Sequence, residues 1–269
     1  MNGVHYFTSG AFGTVIVKTC SNDMHSYKKH HHDELSIGII EEGETILNVN
    51  GTDYRFIAGE AVLISPRVSH ECKPVDPSRW KYTMLYLDPA VCRDVHLDIL
   101  RNNSIKIKGL NKKEFTKIRE LIKLLTGGTD SFTKEVELTN TLNDLFSVCD
   151  RHILLTDHHH ADLVKEYLDT HFLGPIELGE LENRFERNKF LIIRDFKRAF
   201  NTTPSAYQLQ LKVNLGKRLL MENKSILEAA LTAGFYDQAH FTREFKKTCG
   251  VTPLHYYNSF HSQGVNSIQ

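Results

Sequence analysis

Cysteine is scarce in this 269-residue chain, and what there is does not pair. Cys20, Cys72, Cys92, Cys149 and Cys249 are odd in number, widely scattered and free of any C-x-x-C spacing. That excludes a disulfide framework and a cysteine-ligated structural zinc, and it predicts a reduced compartment. Long apolar runs are missing too, so no segment reaches the roughly 20 residues a membrane-spanning helix needs. The opening MNGVHYFTSG lacks the basic stretch and apolar core of a secretory leader. A cytoplasmic chain with no membrane partner is the expectation. An excess of one charge is absent as well: 33 Lys and Arg face 33 Asp and Glu, so the overall balance does not announce a polyanionic partner. There is no G-x-S-x-G elbow, no P-loop and no H-E-x-x-H helix, which predicts a protein that is not an enzyme, with no catalytic residues and no cofactor.

What is present divides in two. Through residue 90 the chain reads as short strands rich in β-branched and aromatic residues: Thr14 to Val17, Leu35 to Ile40, Thr45 to Val49, Tyr54 to Ile57, Ala61 to Ile64 and Tyr82 to Leu87. Asn50-Gly51 between two of them predicts a tight hairpin, because both centres of a type I′ turn need positive φ. Many short strands imply a barrel or sandwich. Pro89 to Lys108 reads as a transition. Asn111 with Glu114 then caps a helix carrying Phe115, Ile118, Ile122 and Leu125, stopped by Gly127-Gly128. A second helix from about Ser131 carries Leu138, Leu142, Leu145, Phe146 and Cys149. The polar run Asp157-His158-His159-His160 marks a linker, so the domains are read as 1–155 (barrel about 1–90, helices about 91–155) and 161–260.

The C-terminal part holds the most specific signal. Ser225 and Glu228 open a short helix with Ile226, Ala229, Ala230 and Ala233 on one face. Gly234 supplies a residue tolerant of positive φ, and Asp237 caps a second helix that turns Phe241 and Phe245 inward. Gln238, Ala239, His240 and Arg243 then occupy its other faces, where a major groove would be read. A shift of 49 residues places Ile192 on Phe241, Arg194 on Arg243, Phe196-Lys197 on Phe245-Lys246, Thr203-Pro204 on Thr252-Pro253 and Tyr207 on Tyr256. Two helix-turn-helix units are thus expected. The helix opening at Pro204 runs to about Glu222, roughly 28 Å at 1.5 Å per residue, which suits two reading helices nearly one DNA turn apart. From Arg184 to Arg218, nine cations stand against Glu186 and Asp195, an electrostatic footprint on a neutral chain.

The string Gly234-Phe235-Tyr236-Asp237-Gln238, with Phe241, Arg243, Phe245-Lys246-Lys247, Gly250, Thr252-Pro253 and Tyr256, resembles the second helix-turn-helix of the AraC/XylS transcription regulators. The resemblance implies double-stranded promoter DNA and RNA polymerase as partners, a homodimer, and a small-molecule effector held in the N-terminal half. Base readout falls to Arg194 and Arg243, whose guanidinium can contact guanine in bidentate fashion. Lys197, Lys246 and Lys247 follow toward the phosphates. Gln238, Ala239 and His240 are further contacts. In the first unit, Lys189, Phe190 and Ile193 stand at the equivalent positions, and here the chain departs from the pattern. Phe190 and Ile193 replace polar groups, Glu182 sits where a small residue packs, and Glu186 where the turn often has glycine. Thymine contact, weak nonspecific binding and contact with another protein all remain open for that helix.

His30-His31-His32, Glu42-Gly43, Gly59 and His70 resemble the two half-motifs of a small cupin barrel, so the expected fold is α+β: a cupin-like antiparallel barrel with flanking helices, then an all-α domain. His30 and His32 share one side of a strand by alternation. Where cupin enzymes have a glutamate ligand, Ser36 and Ile37 stand, so no metal site is assigned. A three-histidine site of His30, His32 and His70 stays open beside histidines lining a pocket. The expected effector pocket is His30, His32, His70, Trp80 and Tyr82; Trp80-Lys81-Tyr82 resembles a subgroup of these regulators, and that resemblance implies an amino acid, with a sugar as the other class. The rival readings are a metal-dependent cupin enzyme with a helical appendix and a regulator whose barrel only dimerises.

Overall fold

The computed structural model describes residues 3–9, 15–21, 29–49, 51–88, 104–146, 149–154 and 159–261. Among them run β1 (Gly3–Ser9), β2 (Val15–Ser21), β3 (Leu35–Glu42), β4 (Glu44–Val49), β5 (Thr52–Ile57), β6 (Glu60–Ile64), β7 (Glu71–Pro74), β8 (Lys81–Leu87), β9 (Ser104–Gly109) and β10 (Arg151–Leu154). Neighbours pair antiparallel in a seven-stranded sheet, β1-β2-β8-β3-β6-β9-β10, facing a three-stranded sheet, β5-β4-β7. The β4–β5 hairpin closes at Val49 opposite Thr52. Gly51 there takes φ +83°, the value the turn demands; Asn50 lies outside the described residues.

The central strands are buried along most of their length because both faces are covered. Val15, Val17, Leu35, Ile37, Leu85 and Leu87 lie under α1 (Lys112–Thr126) and α2 (Ser131–Phe146). Ile16, Ile40, Val62, Ile64, Tyr82 and Tyr86 point the other way, toward Leu47, Val49 and Phe56 of the second sheet. The two sheets thus form a flattened barrel with its own interior. Asn111 caps α1 in a full capping box, accepting from the Glu114 N–H at 3.0 Å while the Glu114 carboxylate accepts from the Asn111 N–H at 2.9 Å.

Two strands correct the expectation of helices alone beyond residue 90. In β9, SIKIKG alternates buried Ile105 and Ile107 with Lys106 and Lys108 and pairs with β6; β10 pairs with β9 at the edge. Period-2 alternation over so few residues is easily lost between a transition and a helix. Cys149 falls outside α2, which ends at Phe146.

The remaining helices are α3 (His159–His171), α4 (Leu178–Arg184), α5 (Lys189–Phe200), α6 (Pro204–Met221), α7 (Ile226–Thr232), α8 (Gln238–Cys249) and α9 (Pro253–His261). Helices α4 and α5 pack Leu181, Ile192 and Phe196 against Tyr207 and the α3 residue Leu168. Helices α7 and α8 pack Ala230, Phe241 and Phe245 against Val213, Leu220 and Tyr256. Each fully buried Phe contributes about 1.5–3 kcal/mol. Gly216 lets α6 approach α8 closely, since a Cβ there would sit 2.4 Å from Phe241 Cε2. The second core runs on into the barrel: the Tyr6 and Tyr256 rings meet at 5.0 Å, and Tyr6 Oη donates to the Cys249 carbonyl at 3.0 Å.

Candidate functional site

Helix α8 is built to present a polar face. Gly234 takes φ +78° at the turn, and the Asp237 carboxylate accepts from the His240 N–H at 2.7 Å, satisfying one of the orphan donors of the first turn. With Phe241 and Phe245 buried, Gln238, Ala239, Arg243, Lys246 and Lys247 are all exposed. Arg243 has no ion-pair partner among the described residues, which leaves its five donors to an incoming acceptor. Lys247 pairs with Glu244. His240 is half-buried, its ring edge-on to Phe235 at 5.3 Å, so part of it belongs to the turn's packing.

Helix α5 sits in the equivalent place with different chemistry. Glu186 occupies the turn at φ +47°, a left-handed conformation that costs a residue with a Cβ about 1–2 kcal/mol. Glu182, in place of a small residue, reaches across the turn to accept from the Lys189 N–H at 3.3 Å. Asn188 caps the helix by accepting from the Phe190 N–H at 3.0 Å. Phe190 is 69% exposed, Ile193 half-buried, and Lys189 lies 5.7 Å from the Phe190 ring. Arg194 is exposed but tied to Asp195 at 3.2 Å, and Asp195 also takes Arg187. Hydrogen bonds from Arg187, then Arg194, hold the Asp195 carboxyl below its ordinary value, so the carboxylate persists there. Lys197 is exposed on the same helix.

In the barrel, His30, His32, His70, Trp80 and Tyr82 line one cavity of about 60 Å³, a measure in which one water takes about 10–15 Å³. That is room for a compact molecule of a few heavy atoms. The cavity wall is mostly apolar, with Lys18 and Tyr86 added to the residues the sequence singled out. Lys18 is buried, its ammonium 5.7 Å from the Tyr6 and Tyr82 rings. Burial pushes the His32 and His70 imidazoles below the ordinary histidine range and Cys72 up to about 12, so the cavity holds these groups neutral.

A second set of contacts joins the halves. The chain before β3 alternates: His30 and His32 face the cavity, whereas His31 stacks on Tyr207 at 4.7 Å. Asp33 accepts from Arg67 at 3.3 Å and Arg218 at 2.8 Å, and Glu34 from Lys217 at 3.3 Å. Arg67 also reaches Asp169 of α3 at 2.8 Å, where Tyr207 donates at 2.7 Å. Burial works against the Lys217 charge, but Glu34, Cys249, Tyr86 and Asp33 together outweigh it and hold the ammonium above its ordinary value. These partners lie up to 185 residues apart, and no local pattern signals them. They also redirect part of the basic footprint, because Lys217 is buried against the barrel and Arg218, half exposed, is held by Asp33.

A barrel with a ligand-sized cavity, clamped to paired helix-turn-helix units, defines a regulator that binds DNA and responds to a ligand. The pattern described as an AraC-like ligand binding domain matches residues 13–147, and a helix-turn-helix domain matches residues 183–259. An HTH-type transcriptional regulator of Bacillus subtilis, YbfI, is 27% identical over 225 residues, 81% of this chain and 82% of that one. The MmsAB operon regulatory protein of Pseudomonas aeruginosa is 23% identical over 242 residues, 86% of this chain and 78% of that one. ToxT of Vibrio cholerae shares the fold at a TM-score of 0.60 and 11% identity, over 92% of this chain and 98% of that one. The chain belongs to the AraC family: a transcription regulator with an N-terminal ligand-binding domain and a C-terminal helix-turn-helix DNA-binding domain.

Proposed function

We propose that this regulator reads operator DNA chiefly through α8, with Arg243, Gln238 and Ala239 at base edges and Lys246 and Lys247 on phosphates, and that α5 adds a weaker contact through Arg194, Lys197, Lys189, Phe190 and Ile193. The domains divide at 1–155 and 161–260. The effector occupies the barrel cavity against Trp80, Tyr82 and the three histidines. An amino acid and a sugar are the two candidate classes; the smallest amino acids suit the cavity as it stands, a sugar requires it to widen, and Lys18 lies on its wall to meet a carboxylate. ToxT has been captured with an unsaturated fatty acid and with (E)-4-(8-methylnaphthalen-1-yl)but-3-enoic acid, acids in both cases. The protein is a cytoplasmic homodimer that acts on RNA polymerase and is not an enzyme. Phe132, 75% exposed, and Val136, one turn on in α2, supply an apolar face for the second copy.

The observation that carries this reading is the segment before β3, which touches both sites. His30 and His32 line the cavity while Asp33 and Glu34 hold α6, the helix joining the two reading units. A ligand that shifts this segment biases how the units are presented. The test is a heat-denaturation screen over amino acids and sugars, followed by anisotropy titration of labelled upstream DNA with each hit. A compound that raises the melting temperature and changes DNA affinity, both effects lost in Tyr82→Ala, is the expected result. Compounds that stabilise the protein with no effect on DNA affinity would contradict effector control.

A further inference from the structure

The stripe of side chains along α5 does not end in solvent. Phe190, Ile193, Arg194 and Lys197 follow one another at helical spacing on one side of the helix, and one turn past Lys197 stands its C-cap, Asn201. There the Asn201 Nδ2 donates to Asn48 Oδ1 of β4 at 2.8 Å. The barrel therefore abuts the end of the stripe, and strand register decides which of its residues lie there. Antiparallel pairing sets Glu71 of β7 opposite Asn48. The His30–His70 bridge, continued by one residue, sets Lys29 opposite Glu71. Opposite residues share a face, so Lys29, Glu71 and Asn48 form one row, with Lys73 beside Glu71 two residues along its strand. His31, on the same side as Lys29, confirms the direction by stacking on Tyr207 of the first helix-turn-helix unit.

Cations outnumber acids where this row meets α5. Lys73 pairs with Glu71 at 3.2 Å, and Asn48 donates to the Asp53 carboxylate at 2.5 Å. Lys29 and Lys197 make no ion pair among the described residues. Burial lowers the Lys29 ammonium below its ordinary value, Glu71 opposes that, and the charges of Lys197 and Lys73 add to the lowering. Three ammoniums drawn from both halves of the chain thus gather at the seam around the Glu71 carboxylate.

We propose that Lys29 and Lys73 bind backbone phosphates of the DNA held by α5, beside the phosphate taken by Lys197, so that the barrel is itself part of the DNA-binding surface. The proposal rests on the reading of α5 and α8 as DNA-facing helices. Such a helix meets base edges with its N-terminal residues, so its C-terminal end passes the sugar–phosphate strand that borders the groove. Lys197 and Asn201 occupy that end, and the barrel lysines lie next to them. An exposed pair such as Lys73–Glu71 has little net worth, so Lys73 can exchange its carboxylate for a phosphate. The same strand segments close the effector cavity from within: His30, Leu47 and Cys72 line it while Lys29, Asn48 and Glu71 face the other way. By linkage, DNA at the seam and a cavity ligand that moves these segments each change the other's affinity.

Salt dependence decides the matter. The full chain is titrated by fluorescence anisotropy, over a series of salt concentrations, into two labelled duplexes of equal length: the one most enriched from a random library and a scrambled control. Each phosphate neutralised adds about 0.9 to the slope of log affinity against log salt. Lys29→Ala and Lys73→Ala should each flatten that slope by about one on both duplexes alike, and the double variant by about two. Lys29→Arg, which keeps the charge, should keep the slope. Lys123→Ala, which removes an exposed cation from α1 over the other sheet, should leave it unaltered. An unchanged slope in the double variant, or an equal loss in Lys123→Ala, overturns the proposal. Flattening without any preference between the two duplexes would uphold the barrel contact and remove sequence reading by α8; preference kept with no flattening would remove the barrel contact alone.

Discussion

The two helix-turn-helix units share a plan and differ in how it is executed. Buried Ile192, Phe196 and Tyr207 in the first match Phe241, Phe245 and Tyr256 in the second, and each unit ends in a Thr-Pro helix start. At the turn, the second unit uses glycine at φ +78° and the first spends a glutamate at φ +47°. On the proposed reading helix, the second leaves Arg243 without an ion pair among the described residues, and the first ties Arg194 to Asp195 and exposes Phe190. Equal cores with unequal surfaces support the proposal that both units hold the fold while sequence reading is concentrated in the second.

The largest effects test the equality of the cores. Phe196→Ala and Phe245→Ala remove rings that are 0% exposed and should each cost about 3–5 kcal/mol in denaturant unfolding. A small cost at one of them would break the parallel between the units. Next comes reading: Arg243→Ala should relax base preference at one operator position by about 1–3 kcal/mol, against a uniform and smaller loss for Arg194→Ala. Equal, position-specific losses in a binding titration would remove the ranking.

The turns should respond with opposite signs. Gly234→Ala places a Cβ at positive φ, 2.9 Å from the Leu173 carbonyl oxygen, and should destabilise by about 1–2 kcal/mol. Glu186→Gly relieves the same strain in the first unit and should stabilise by about 0.5–1 kcal/mol after the entropy of glycine is counted. The smallest effect is Asp195→Ala, which frees Arg194 and Arg187; it should steepen the salt dependence of DNA binding by a slope of about one without sharpening sequence preference. A gain in preference would mean that Asp195 alone silences the first reader.

The sequence was most legible where one residue type answers one local demand. Gly234, Asp237 and the Phe241/Phe245 spacing define the second unit before any coordinates, and Asn50-Gly51 defines the hairpin. Glu186 marked the first turn as unusual, although only the backbone shows that it accepts positive φ. The five cavity residues were reached through strand alternation and the resemblance of two short motifs. Lys18 was missed because its strand offers no pattern beyond alternation, and β9 because two isoleucines among lysines are a faint signal. The clamp of Asp33 and Glu34 on Arg218 and Lys217 was illegible for a different reason: its members meet only after both halves have folded, and nothing near either pair records the other.

The central claim is tested most directly by selecting duplex DNA from a random library with the full-length protein at physiological salt and sequencing what is retained. The account predicts a site with one strongly specified element, read by α8, and a second, weaker element about one helical turn away. Two elements of equal strength would contradict the division of labour between the units, and no enrichment at all would contradict operator reading by α8.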